Sequence, residues 1–127
     1  MNYLGIDWGE KRVGLAIGNS ETKIATPYGV VNDLISLKKV IEDEEIEKLI
    51  VGKPIKMSGE EKLEAEFSNF ISELKYITEK QIEFIDERLS SKAADALIGD
   101  KKTKAPRDAV AAMLILQSYF DKNKIKK

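Results

Sequence analysis

Four acidic residues stand where a folded chain could bring them to one rim. Asp7 directly follows the apolar run Tyr3 to Ile6, Asp86 and Glu87 directly follow Gln81 to Ile85, and Asp108 lies just after Pro106 at the start of an alanine-rich segment. Taken singly, each has an ordinary explanation. Asp and Gly are common turn formers, so Asp7 followed by Gly9 reads as a turn. Asp86 or Glu87 could pair with Arg88 or cap a following helix. An acid in the first turn of a helix is favoured by the helix dipole wherever it occurs. Brought together, three carboxylates would repel one another and raise their pKa values unless cations sat between them. Hard divalent ions, Mg2+ or Mn2+, resolve that conflict. They take oxygen ligands and retain waters, and clustered carboxylates are the ligand set of two-metal phosphoryl transfer. One ion activates water and the other stabilises the leaving oxygen.

The composition leaves little else. The 127-residue chain has neither His nor Cys, which removes thiolate and imidazole zinc sites, cysteine nucleophiles and every triad built on His. Chemistry must run on carboxylates, hydroxyls, Lys or Arg. Twenty-one basic and 22 acidic residues give a net charge of −1, which excludes a uniformly basic nucleic-acid glove. A local basic region remains. From Gly99 onward, Lys101, Lys102, Lys104, Arg107, Lys122, Lys124, Lys126 and Lys127 outnumber Asp100, Asp108 and Asp121, a segment that could neutralise phosphates or could simply be solvated. The acidic stretch Glu42-Asp43-Glu44-Glu45 is expected to face away from such a ligand. No apolar run approaches the length of a membrane span, and the first residues lack the pattern of a secretory leader, so the expectation is a cytoplasmic protein with no membrane partner.

The elements that must position these acids follow from periodicity. Tyr3 to Ile6 and Arg12 to Ile17 read as a hairpin, with a third extended run at Tyr28 to Val31. Leu34, Leu37, Ile41 and Ile46 recur at helical spacing, with Asn32 or Asp33 as the N-cap. The continuously apolar Leu49-Ile50-Val51 predicts a central parallel strand buried on both faces. Ser58 and Glu61 form a capping-box pattern before a helix marked by Leu63, Phe67, Phe70, Ile71 and Leu74. Gln81 to Ile85 reads as another strand, and Ser90 or Ser91 could cap a short helix through Ile98. Pro106 opens a last helix with the stripe Val110, Met113, Leu114, Leu116, Gln117 and Phe120, whose alanines Ala109, Ala111 and Ala112 permit close approach to a sheet. Three meandering strands followed by crossover helices predict an α/β domain, a mixed sheet flanked by helices, spanning 1–127 as one unit. If the first and last strands run parallel, the strand-end acids share the carboxyl edge of the sheet, and a helix starting there can lower Asp108 onto them.

Four blocks carry a resemblance. Gly5-Ile-Asp-Trp-Gly-Glu-Lys-Arg-Val-Gly-Leu-Ala-Ile17, Ile50-Val-Gly-Lys-Pro-Ile-Lys-Met-Ser-Gly59, Asp86-Glu-Arg-Leu-Ser-Ser91 and Asp108 to Asp121 resemble, in order, the YqgF/RuvX family of Holliday junction resolvases and pre-16S ribosomal RNA nucleases. The resemblance implies a ribonuclease H-like five-stranded sheet in the order 3-2-1-4-5 with strand 2 antiparallel, and metal-dependent phosphodiester hydrolysis. It carries Asp7, Asp86, Glu87 and Asp108 into the metal-binding and catalytic role. It also places Arg12, Lys53, Arg88, Ser90 and Lys104 along the edge where a phosphate backbone lies, to which the charge count adds Lys101, Lys102 and Arg107. The chain departs from the family pattern at Trp8, Lys53 and Ser91. In the related RuvC resolvases an acid also ends the fourth strand, where this chain has Gly52-Lys53, so the second acid must come from Asp86 or Glu87.

Three functions are compatible with these residues. The first is a nuclease acting on structured RNA, most simply at the 5′ end of pre-16S rRNA, with cleavage of branched DNA at a Holliday junction as the alternative. The second is a domain that grips nucleic acid without cutting it, motivated by the missing fourth-strand acid. The third is nucleotide binding, because Asp7-Trp8-Gly9 before a hairpin is similar to the first phosphate loop of actin-like ATPases; those need two such domains. A monomer or a homodimer is expected, and junction cleavage would require the dimer because its substrate has two-fold symmetry.

Overall fold

The computed structural model describes residues 1–9, 11–53, 61–86 and 106–125, with the side chains at 53, 61–63, 86 and 123–125 outside the description. Its elements run β1 (Asn2–Trp8), β2 (Val13–Asn19), β3 (Ile24–Val31), α1 (Leu34–Asp43), β4 (Ile46–Lys53), α2 (Glu61–Thr78), β5 (Gln81–Asp86) and α3 (Arg107–Ile125). The five strands form one sheet in the order β3-β2-β1-β4-β5. β2 is antiparallel to both of its neighbours, and β1, β4 and β5 run parallel. This is the mixed α/β sheet expected from the sequence, in the strand order that the family resemblance implied.

Side-chain alternation divides the sheet into two faces. Leu4, Ile6, Val13, Leu15, Leu49 and Val51 pack on one side against Leu37 and Ile41 of α1 and Ile71 and Leu74 of α2. On the other side Ala25 and Ile50 pack against Ile115, Leu116 and Phe120 of α3, with Tyr3, Ile85, Met113 and Tyr119 at the margin. β4 feeds both layers from adjacent residues, which is why its sequence is continuously apolar. Each such side chain, fully buried, contributes roughly 1.5–3 kcal/mol. The alanine face of α3 behaves as expected, since Ala109 and Ala112 are completely buried. The stripe differs in detail: Ile115, absent from the expected set, is fully buried, whereas Leu114 is only half-buried.

Several boundaries differ from expectation. Asp33 is the N-cap of α1, its carboxylate accepting from Ser36 N–H at 2.7 Å. That backbone hydrogen bond holds the Asp33 carboxyl below its ordinary pKa. Ile46 is not part of this helix. Glu44 caps the C-terminus, Glu45 takes a positive φ of 52° that reverses the chain, and Ile46 opens β4 in the core. β3 begins at Ile24, four residues before the expected run, and carries Pro27 inside it. The register explains the tolerance. Ala16 pairs with Pro27 and Leu15 with Gly29, so Tyr28 is the extra residue of a bulge, and β3 lies at the sheet edge, where a missing N–H costs little. The Ser58 cap and the short helix after Ser90 lie outside the described residues.

Candidate active site

β1, β4 and β5 are parallel, so their carboxyl ends meet one edge. Asp7 is the next-to-last residue of β1, while Lys53 and Asp86 form the last register pair of β4 and β5. Asp7 pairs with Gly14 in the β1–β2 ladder, and directly opposed residues present the same face of the sheet. That face is the one covered by α3. A Cβ built on Gly14 would lie 2.0 Å from the backbone carbonyl oxygen of Asp108 and 2.8 Å from its Cβ. Only glycine leaves room for the first turn of α3 to descend there. The next residue in β1 confirms the assignment of faces: Trp8 turns to the opposite side, its ring 5.5 Å from Phe67 and 6.4 Å from Phe70 of α2.

Asp7 and Asp108, 101 positions apart in sequence, therefore lie on one face at one edge of the sheet. Both are half-buried, which strengthens any charge interaction at the site. Arg12, at the end of the β1–β2 turn, joins them: its Nε lies 2.6 Å from Asp108 Oδ2, with Arg12 64% and Asp108 29% exposed. Gly9 shapes that turn, since a Cβ on it would stand 2.8 Å from the Arg12 carbonyl oxygen.

Asp86 ends β5, two strands from β1, roughly 10 Å away across the sheet at the usual strand spacing. Among the described residues no three acids are grouped tightly enough to hold an ion by themselves. Arg107 opens α3 beside Asp108. Glu87, Arg88, Ser90, Lys101, Lys102 and Lys104 lie outside the described residues. The acidic stretch lies at the far edge, where Asn2 at the start of β1 donates from Nδ2 to the Glu44 carbonyl at 2.9 Å.

The donor set fits a hard divalent cation. Asp7 and Asp108 offer only carboxylate oxygens, and Mg2+ is commonly held by one or two carboxylates, with waters and substrate phosphate completing its shell. Sequence reasoning found both acids but missed what supports them. The Arg12–Asp108 ion pair and the Gly14–Asp108 contact join residues distant in sequence, and the only sequence signal was an unexplained Gly inside an otherwise apolar strand.

A second polar group sits at the opposite end of the same face. Lys48 of β4 forms an ion pair with Glu83 of β5 and donates to Tyr119 Oη of α3 at 2.8 Å, lying over the Tyr3 and Tyr119 rings. Burial works against its charge, but the hydrogen bonds to Glu83 and Tyr119 outweigh it and hold the Lys48 pKa above the ordinary lysine value. This group ties β4, β5 and α3 together, away from the acids. Among the described residues no helix is long and apolar enough to cross a membrane.

Comparison with known proteins agrees with this architecture. Over nearly their whole lengths, proteins from Maridesulfovibrio salexigens (35% identical, 94% of this chain and 98% of the relative) and Dictyoglomus thermophilum (35%, 98% and 99%) match the chain. Both carry the name "Putative pre-16S rRNA nuclease". Among solved structures, Thermus thermophilus RuvC in complex with a Holliday junction superposes with a TM-score of 0.70 at 14% identity, covering 98% of this chain and 96% of that one. Fowlpox virus resolvase with Holliday junction DNA gives 0.62 at 13% identity, with 100% of each chain covered. At such identities the likeness is one of fold, the ribonuclease H-like sheet of these resolvases. Residues 1–122 match the family model described as RuvX, Holliday junction resolvase, and the chain belongs to that family.

Proposed function

We propose that this protein is a metal-dependent nuclease that hydrolyses phosphodiester bonds of structured nucleic acid, with the 5′ end of pre-16S rRNA as its substrate. The observation that carries the reading is the descent of Asp108 onto Gly14, the ladder partner of Asp7, which sets two carboxylates on one face at the carboxyl edge. Supporting it are the nuclease name shared by curated relatives and the absence of His and Cys, which leaves carboxylate-bound metal as the route to an activated water.

Asp7 and Asp108 would hold Mg2+ or Mn2+, with Asp86 or Glu87 as a further ligand in a two-metal arrangement. When bound, such ions would supply activation of a water at neutral pH and charge stabilisation at the leaving oxygen. Arg12, Lys53, Arg88, Ser90, Lys101, Lys102, Lys104 and Arg107 would meet the phosphate backbone, making binding steeply salt-dependent. Such a substrate places the reaction in the cytoplasm.

The test is a metal titration with labelled substrates, comparing a pre-16S rRNA fragment with a four-way DNA junction. Cleavage of the rRNA fragment by the wild type, lost by on the order of 10³-fold or more in D7N, is the expected result, because members of a catalytic group act as a unit. Undiminished metal-dependent cleavage by D7N would overturn the assignment. The description of the matched family favours the junction as a second substrate, and preferential junction cutting by a dimer would select that reading. Tight binding of either substrate with no product in Mn2+ would select the non-cleaving one.

A further inference from the structure

We infer that Arg12 is a resident counter-cation for Asp108, which a divalent ion must displace before it can bind. The inference rests on the proposed role of Asp108 as a metal ligand and extends it to the regulation of that site.

Three observations carry it. The guanidinium Nε lies 2.6 Å from Asp108 Oδ2, so a charge-assisted contact already occupies one of the oxygens that an ion would use. The two ends of the contact differ in exposure: Asp108 is 29% exposed and fixed in the first turn of α3, while Arg12 is 64% exposed. The carboxylate is held in place and the cation can leave. Finally, a Cβ on Gly9 would stand 2.8 Å from the Arg12 carbonyl oxygen, so the Arg12 backbone is packed against the turn while its side chain is the exposed end of the pair.

An exposed pair of this kind is weak, worth roughly 0.2–1 kcal/mol, which makes Arg12 displaceable by a doubly charged ion yet able to lower its affinity measurably. Arg12 acts through Asp108, and is therefore a positioning residue. If it served only to brace the fold, its removal would weaken ion binding; as a competitor, its removal tightens it.

The experiment is Mn2+ binding followed by electron paramagnetic resonance on the full chain, comparing wild type with R12Q and with K11Q. Lys11 is exposed and adjacent in the same turn, so K11Q removes an equal charge and controls for the general field. The expected result is a Kd for Mn2+ about 1.4- to fivefold tighter in R12Q, the range that the pair energy converts to, with K11Q close to wild type. An unchanged or weaker Kd in R12Q, or an equal tightening in K11Q, would overturn the inference and leave the metal site standing. Absence of Mn2+ binding in both wild type and R12Q would overturn the metal site and the inference together.

Discussion

The carbonyl oxygen of Asp108 occupies the space that a side chain on Gly14 would need, 2.0 Å from the position of its Cβ. The contact is between backbone and backbone, so neither partner can relax by changing rotamer. Since Gly14 is also the ladder partner of Asp7, the docking of α3 is what brings Asp108 to the face that carries Asp7.

Gly14→Ala should therefore damage stability and chemistry together. Overpacking against backbone costs roughly 1–3 kcal/mol, and the first turn of α3 must lift away from β2. A lower urea midpoint with cleavage reduced further than the unfolded fraction accounts for is expected; a variant as stable and active as wild type would contradict the contact.

Gln117 bridges α3 to the edge strand β3, accepting from Ala25 N–H at 2.9 Å and donating to the Lys23 carbonyl at 2.9 Å. Gln117→Leu keeps the bulk and removes both bonds, leaving the buried Ala25 amide without this acceptor. A loss of about 1–3 kcal/mol in equilibrium unfolding is expected, with cleavage at the distant edge little changed.

Lys48 predicts an alkaline effect. Its pKa is raised on folding, so the stability it contributes is complete below its ordinary value near 10.5 and is lost as pH climbs above that. The difference in urea midpoint between wild type and K48M should stay constant from pH 7 to about 10 and shrink above it. A difference that is flat through pH 11 would show that the ammonium group is not held by Glu83 and Tyr119.

Asp86 and Glu87 are expected to contribute unequally. Ile82 and Phe84 of β5 pack toward α2, whereas Glu83 and Ile85 pack toward α3, the side of Asp7 and Asp108. If the alternation of β5 carried on beyond Asp86, position 87 would fall in the phase of 83 and 85. Cleavage rates in saturating Mn2+ should fall more in E87Q than in D86N, and the reverse order would assign the ligand to Asp86.

The sequence was most informative where one local rule decided the outcome. An N-cap could be expected at Asn32 or Asp33 because either can offer an oxygen to a backbone N–H of the first turn, and Asp33 takes the place by accepting from Ser36. Leu49-Ile50-Val51 could be placed in an interior strand because only a strand covered on both faces tolerates it. It was least informative where tertiary context overrode a local signal. Pro27 reads as a strand breaker until an edge position and a bulge accommodate it. Ile46 fits the helical spacing, but Glu45 reverses the chain just before it. Gln117 sits in an apolar stripe because its amide reaches backbone groups more than 90 residues away. Of the site, the acids were legible as residue types at strand and helix ends, while the Arg12 pair was invisible, since nothing in the spacing of residues 12 and 108 announces it.

The placement of Trp8 gives the protein an optical gauge of its own integrity. It is the single tryptophan, adjacent to Asp7 in the chain yet turned to the opposite side of the sheet, where Phe67 and Phe70 surround it. Its emission should therefore report the seating of α2 more directly than side-chain changes on the face that carries the acids. A variant that is silent in cleavage but keeps the native spectrum has lost its chemistry and retained its architecture, a distinction that one cuvette and no label can make.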